Sequence, residues 1–329
     1  MKFAVVGAGA IGAFVGAMLA RSGEDVTLIA RGAHLRAMQE KGVRVRGPLG
    51  EFVAHPAATD DPAAVGPVDV VLLTLKAHSL TDMAPRLAPL LGPETAIVGA
   101  QNGIPWWYFY QHGGELEGMR LEAVDPDGVI ARNLDPRRAI GCVLYCSTSI
   151  AEPGVIEHID GTRFAIGEPD GAKSERCQRI AKAFIKAGLK CPIRSNIRHD
   201  IWVKLMGNVA FNPISALTRA TLIEIVQCRE TRAIVSEIMA ETEAVARRLG
   251  VEVGVTVEQR LAGAEKVGDH KTSMLQDVEA GRPMELEPIV GAVVELGDRL
   301  NLQLPYTRTV YACAKLLARS LEKANRETA

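Results

Sequence analysis

The 329-residue sequence has little net charge, with 38 Lys and Arg against 39 Asp and Glu. A chain so balanced carries no extended field that would draw it to nucleic acid or to an anionic membrane surface. Cysteine is sparse: there are six, and none stands as CxxC. Cys142 and Cys146 fall in an apolar run that reads as a strand. Four residues of strand span roughly 13 Å, too far for two ligands of one metal without a bend. The thiols therefore read as small buried hydrophobes rather than a disulfide or metal framework. The seven His show no metal spacing, and His78 and His199 read as surface or hydrogen-bonded residues. Long apolar runs are also scarce. The exception is FAVVGAGAIGAFVGAMLA at residues 3–20, long enough for a signal core or membrane span and carrying a GxxxG at Gly12 and Gly16. It divides instead into a strand over 2–6, a glycine turn and a helix start, and no small-residue cleavage site follows.

What is present begins with that turn. GAGAIG supplies Gly7, Gly9 and Gly12, with Ala8, Ala10 and Ile11 between them. A helical pattern runs on to Arg21, and SGEDVTLIAR reads as a turn and a second strand. A GxGxxG inside a βαβ unit of this size is a dinucleotide cradle. Gly7 permits the turn, Gly9 lets the backbone approach a pyrophosphate, and Gly12 allows the helix to pack closely on the strand. The helix start then offers free N–H groups and partial positive charge to the phosphates.

A second absence selects the cofactor. An NAD site usually places an acid at the end of the second strand, for the ribose diol. Residues 27–32 read TLIARG, with no acid, while Glu24 and Asp25 precede the strand. Arg31 stands where a 2′-phosphate would lie. The expectation is NADPH/NADP⁺.

Further strands are expected at 68–76, 95–103, 139–150, 154–159 and 164–167, with CPIRS as a last edge strand. Most are continuous apolar runs, as in a sheet covered on both faces. Two end in polar residues, Lys76 and Gln101-Asn102-Gly103. PWWYFYQ at 105–111 sets five aromatics in a row, readable as a hydrophobic plug, a dimer contact, or a wall or lid beside Asn102. From about Asn196 the pattern turns helical throughout. The fold class is thus α/β then all-α: a Rossmann-like domain over 1–195 and a helical substrate domain over 196–329, joined near 194–198.

Within the helical half, KLMGNVAFNP places Lys204, Asn208 and Asn212 four residues apart, on one face of a helix. Asp200 could pair with Lys204 as an exposed ion pair, and Asn212 before Pro213 could simply end the helix. Neither reading explains why two poor helix formers share the lysine's stripe. Downstream, KTSMLQDVEAGRPMELEP holds Ser273, Asp277 and Glu285 around a helix and a break. A carboxylate there could face the stripe, or the segment could be an ordinary capped amphipathic helix.

Together MKFAVVGAGAIG with Arg31, TLKAHS, QNG, IWVKLMGNVAFNPISALT and SMLQDVEAGRPME resemble the ketopantoate reductase (2-dehydropantoate 2-reductase) family, over nearly the whole chain. The resemblance implies NADPH reduction of a 2-oxo acid in pantothenate and coenzyme A biosynthesis. It also implies a C-terminal domain like that of 6-phosphogluconate dehydrogenase and a cytoplasmic location. Lys204 would be the general acid. Asn102, Asn208, Asn212 and Ser273 would bind the keto acid, Glu285 would help position it, and Lys76 and Asn102 would sit near the cofactor. The residue types suit that chemistry, because a ketone oxygen taking on charge needs a proton donor and hydrogen bonds aimed at it. Two departures stand out. Val290 occupies a position where the family commonly has Asn, and the 105–128 segment is longer than in compact members. Another branched 2-oxo acid, a β-hydroxyacid or polyol-phosphate dehydrogenase, and an NADP-binding regulator without turnover remain alternatives. The apolar C-terminal helices could support a homodimer.

Overall fold

The structure is a computed structural model that describes residues 1–328, with side chains through 324. The chain forms two compact units. The first comprises Met1–Gln101, Pro105–Arg120 and Asp125–Ile197; the second comprises Asn102–Ile104, Leu121–Val124 and Arg198–Ala329.

The first unit runs β1 (Lys2–Val6), α1 (Ala10–Arg21), β2 (Asp25–Ile29), α2 (Gly32–Lys41), β3 (Val43–Arg46), β4 (Phe52–Ala54), β5 (Ala57–Thr59), β6 (Val68–Leu73), α3 (Leu80–Met83), β7 (Leu91–Gly99), α4 (Val129–Asn133), β8 (Ala139–Glu152), β9 (Val155–Gly167) and α5 (Glu175–Lys186). These strands make one sheet in the order β4-β3-β9-β8-β7-β6-β1-β2-β5. From β5 to β8 every pairing is parallel, in the succession of a doubly wound dinucleotide fold. β1 is apolar without alternation because both its faces are covered: Phe3, Ala4, Val5 and Val6 are all fully buried. The apolar run at 3–20 divides as its sequence suggests. Gly16 is there to let α1 lie against β2, since a Cβ on it would come within 2.3 Å of Leu28 Cδ2. No helix among the described residues is long and apolar enough to cross a membrane.

Two expectations fail, each for a local reason. GVIEHI and FAIG are one continuous strand, β9, paired antiparallel with β8. Between them the strand passes through an irregularity in the ladder, where Gly161 at φ +76° lies against the Tyr145 carbonyl. CPIRS makes only one isolated bridge, Ile193 with Ile166, and Pro192 has no N–H to donate to a ladder. Short β3, β4 and β5 were not anticipated. β3 does alternate buried and exposed residues, but over only four positions.

The aromatic run is a plug. Trp107 and Tyr108 are fully buried, and Trp106 and Phe109 nearly so. Two strand glycines make room for the indoles. A Cβ on Gly99 would stand 3.1 Å from the Trp106 ring, and one on Gly141 would stand 2.7 Å from the Trp107 ring. Trp106 Nε1 also donates to the Leu134 carbonyl.

The second unit holds α6 (Ile197–Thr218), α7 (Leu222–Gln227), α8 (Arg229–Arg248), α9 (Val257–Val267), α10 (Ser273–Glu279), α11 (Ala292–Arg299) and α12 (Pro305–Thr328), with a single π turn at Glu287–Gly291 before α11. It has no strand among its described residues. Capping boxes start α7 (Thr221 with Glu224) and α9 (Thr256 with Gln259). Pro213 does not end α6: the helix continues through it to Thr218. A proline there removes one backbone bond, but the turn around it is buried from Val209 to Ala216, and that packing outweighs the lost bond. The helix stops at Arg219, which adopts φ +63°.

Candidate active site

One candidate site, in the first unit, is built from backbone. β1 delivers the chain to Gly7, whose φ of +89° places it in the left-handed region. A Cβ there would also lie 2.5 Å from the Leu75 backbone, so the loops after β1 and β6 touch at this point. Thr74 strengthens the contact, its hydroxyl donating to the carbonyls of Val6 and Gly7. Gly12 is needed for a different reason, since its Cβ would meet Thr74 Oγ1 at 2.4 Å and Gly7 O at 2.7 Å. Gly9 is needed for neither: its Cβ would find nothing nearer than Gly7 O at 3.9 Å. It caps α1 with no side chain on the helix's first N–H groups. An open glycine before an uncapped helix start fits a pyrophosphate.

Arg31 follows β2, is exposed, and stands at the N-cap of α2. Glu24 lies at the opposite end of β2, where its carboxylate pairs with the Met1 amine. His34, one turn into α2, accepts the Gly154 N–H on Nδ1 at 3.0 Å. Burial pushes its imidazole below the usual range. Lys76 follows β6, half-buried, at the start of a 3₁₀ turn.

The other candidate site is built from side chains of the second unit. On α6, Lys204 Nζ donates to Asn102 Oδ1 at 2.9 Å. Asn102 Nδ2 in turn donates to Glu285 Oε2 at 3.2 Å. A lysine can only donate and a carboxylate can only accept, so the amide has one consistent orientation between them. Glu285 is 6% exposed, and a carboxylate buried that far must be held by donors. The Asn102 segment is fixed by its neighbour. Gly103 adopts φ +88°, and a Cβ on it would strike Pro288 O at 2.2 Å. Ile104 N then donates to that same carbonyl at 2.9 Å. The π turn that carries Pro288 is clamped from behind. Tyr311 donates to Glu287 at 2.6 Å, and Lys315 donates to the Tyr311 hydroxyl at 3.2 Å. Burial, and next the Glu287 bond, raise the Tyr311 hydroxyl above its ordinary range.

Asn208 and Asn212 continue the Lys204 face one and two turns on, the first half-buried and the second 5% exposed. Ser273 is exposed at the first position of α10, where Thr272 rather than Ser273 caps the helix. Buried Asp277 is paired with Arg282. The structure thus joins Lys204, Asn102 and Glu285 in one bonded chain and leaves Ser273 outside it. Gly103, Pro288 and His34 were missed in the sequence. Only Gly103 had a visible signal, a glycine beside a polar strand end. Among the described residues there is no cluster of His, Cys, Asp and Glu that could hold a metal.

The profile described as "Ketopantoate reductase PanE/ApbA" matches residues 3–171, and that described as "Ketopantoate reductase PanE/ApbA C terminal" matches residues 196–318. A 2-dehydropantoate 2-reductase of Mesorhizobium japonicum is 48% identical over 97% of this chain and 98% of its own. The crystal structure of 2-dehydropantoate 2-reductase from Methylococcus capsulatus, 32% identical, superposes with a TM-score of 0.82 and covers 98% of both chains. At 22% identity, a D-mandelate dehydrogenase solved with NADH and anilino(oxo)acetate shares the fold, with a TM-score of 0.84 over 98% of this chain and 100% of that one.

Proposed function

The chain belongs to the ketopantoate reductase family, oxidoreductases that act on CH–OH groups, and from that premise we propose that it reduces 2-dehydropantoate to pantoate with NADPH. The observation that carries the chemistry is the Lys204–Asn102–Glu285 chain. When bound, the cofactor supplies a hydride to the keto carbon. The protein's part is to hold the ketone and to answer the charge that grows on its oxygen. Lys204 donates the proton to that oxygen. An ammonium has three N–H donors, so its bond to Asn102 is compatible with one to substrate. Asn102 keeps Nζ aimed, and Glu285 keeps Asn102 from rotating. Asn208 and Asn212 offer neutral amide groups to the substrate's hydroxyl and carboxylate, and Ser273 offers a hydroxyl. Gly7 to Gly12 hold the pyrophosphate, Arg31 reads the 2′-phosphate, and Lys76 assists on the cofactor side.

A second reading has one observation in its favour. Val290, in the π turn, is 1% exposed and apolar where the family commonly has Asn. Loss of a polar contact there favours a different branched or bulkier 2-oxo acid on the same machinery. Both readings are tested by following NADPH absorbance with purified protein and a panel of 2-oxo acids, ketopantoate included, then repeating the active cases with NADH. Fast ketopantoate turnover with strong NADPH preference supports the first reading. Preference for another 2-oxo acid supports the second. Cofactor binding without turnover of any acid overturns both and leaves a nucleotide-binding regulator.

A further inference from the structure

α6 carries a notch beside its lysine. Gly207 is buried, and the space its missing side chain leaves is filled by Arg260 from α9: an ideal Cβ on Gly207 would stand 2.3 Å from Arg260 Nη2 and 3.3 Å from Cζ. At 100° per residue, Gly207 lies about 60° to one side of Lys204 and Asn208 about 40° to the other, within roughly 6 Å along the axis. The Arg260 guanidinium and the amide stripe therefore flank Lys204 on opposite sides. Sequence gives no hint of this, because Arg260 sits mid-helix in EQRLAG, on an otherwise unremarkable amphipathic segment.

The charge balance of the proposed reaction gives this arrangement a purpose. A 2-oxo acid is an anion, with its carboxylate on the carbon next to the ketone. Lys204 is committed to the ketone oxygen. Asn208, Asn212 and Ser273 are neutral, and Glu285 is negative and nearly buried. A substrate anion brought to this face by those residues alone would meet a carboxylate and no second cation. Guanidinium is the group best shaped for a carboxylate, through two parallel N–H donors. Its planar fork is laid on backbone here, so it loses little freedom on binding.

The geometry points to Arg260 as the carboxylate-binding, specificity-determining residue of the 2-oxo acid site, with Gly207 conserving the space for its guanidinium. This rests on the reductase reading above. It also explains how the site would separate 2-oxo acids from uncharged ketones, which Lys204 alone does not do.

The test compares a 2-oxo acid substrate with its lactone, which keeps the ketone and has no carboxylate, in wild type, Arg260→Met, Arg260→Lys and Gly207→Ala. Loss of a charge-assisted pair raises the KM for the acid in Arg260→Met by about 10- to 100-fold. The KM for the lactone and the affinity for NADPH stay at wild-type values, which also shows that the variant is folded. Arg260→Lys recovers part of the loss. Gly207→Ala keeps the charge but displaces it, and falls between. An Arg260→Met enzyme whose KM for the acid is unmoved, or rises equally for acid and lactone, overturns the assignment while leaving the reductase reading intact. A wild type that reduces no 2-oxo acid overturns the reductase reading, and this inference with it.

Discussion

The two candidate sites are made of different material. The cradle after β1 is backbone, and its requirements are met by glycines within six consecutive residues. The Lys204 centre is side chain, and its bonds join residues 102 and 183 positions apart in sequence. The first kind of site is rigid because a strand, a turn and a helix start leave one path. The second is rigid only because several distant segments agree. Gly103 under Pro288 and Tyr311 behind Glu287 are the points of agreement. A defect in the cradle should therefore be felt as lost cofactor, and a defect in the centre as lost turnover.

The sharpest form of that contrast is Lys204→Ala. Loss of a positioned proton donor lowers kcat by about 10²–10⁴-fold. NADPH affinity, read by fluorescence titration, stays at the wild-type value. Near-normal kcat in this variant would remove Lys204 as the general acid, and a parallel loss of cofactor binding would erase the division between the two sites.

Next in size is a matched pair of glycine substitutions, Gly7→Ala and Gly103→Ala. Both positions have positive φ and both would press a Cβ onto backbone, at 2.5 Å from Leu75 and 2.2 Å from Pro288 O. Each should cost about 1–3 kcal/mol of stability from backbone strain alone. Their functional losses should differ: Gly7→Ala raises the Kd for NADPH, whereas Gly103→Ala leaves it unchanged and lowers kcat by disturbing Asn102. Denaturant melts with both assays on the same preparations check this. Identical losses in the two variants would mean that the two glycines serve folding only.

That difference in material also explains what could be read in the sequence. The cradle, its three glycines and the unacidic end of β2 are local features, visible as spacing. The stripe on α6 was visible because helical period is local as well. What Lys204 bonds to was not, because nothing in its neighbourhood names Asn102 or Glu285. Asn102 stands out as a polar strand end and Glu285 as one of two carboxylates that could face the stripe, but their roles beside Lys204 enter only through resemblance to a family. The Arg260 notch was out of reach for the same reason: Gly207 and Arg260 belong to different helices. In the fold, the errors fell where a local signal was ambiguous. GVIEHI and FAIG read as two strands and form one, β9, and a proline that could end a helix is held inside α6 by the burial around it. The aromatic run reads from sequence as a plug, a dimer contact or a wall, and the plug is distinguished only once its partners, the strand glycines Gly99 and Gly141, have the indoles placed on them.

A smaller effect is expected at Arg31. Removing one charge-assisted phosphate contact in Arg31→Ala should raise the KM for NADPH by about 10- to 100-fold while leaving that for NADH unchanged. Steady-state kinetics with both cofactors decide it. If both KM values rise together, Arg31 supports the cradle generally and does not read the 2′-phosphate.

The smallest effect separates the two sites by pH. In the first unit, Nδ1 of His34 accepts the Gly154 N–H, which a protonated imidazole cannot do. Burial lowers the folded-state pKa from its ordinary 6.5, so in mildly acid solution the unfolded chain binds more protons at this residue than the folded chain does. The stability it contributes is complete above the unfolded value and is lost as the pH falls from there through the lowered folded value. His34→Gln retains an acceptor for Gly154 without titrating. Urea unfolding at pH 8 and pH 5.5 should therefore show a smaller acid loss in the variant than in wild type. An equal loss in both would assign the acid sensitivity to other groups. The same substitution should leave turnover by the Lys204 centre unaltered at saturating cofactor, because nothing in the Lys204–Asn102–Glu285 chain passes through α2.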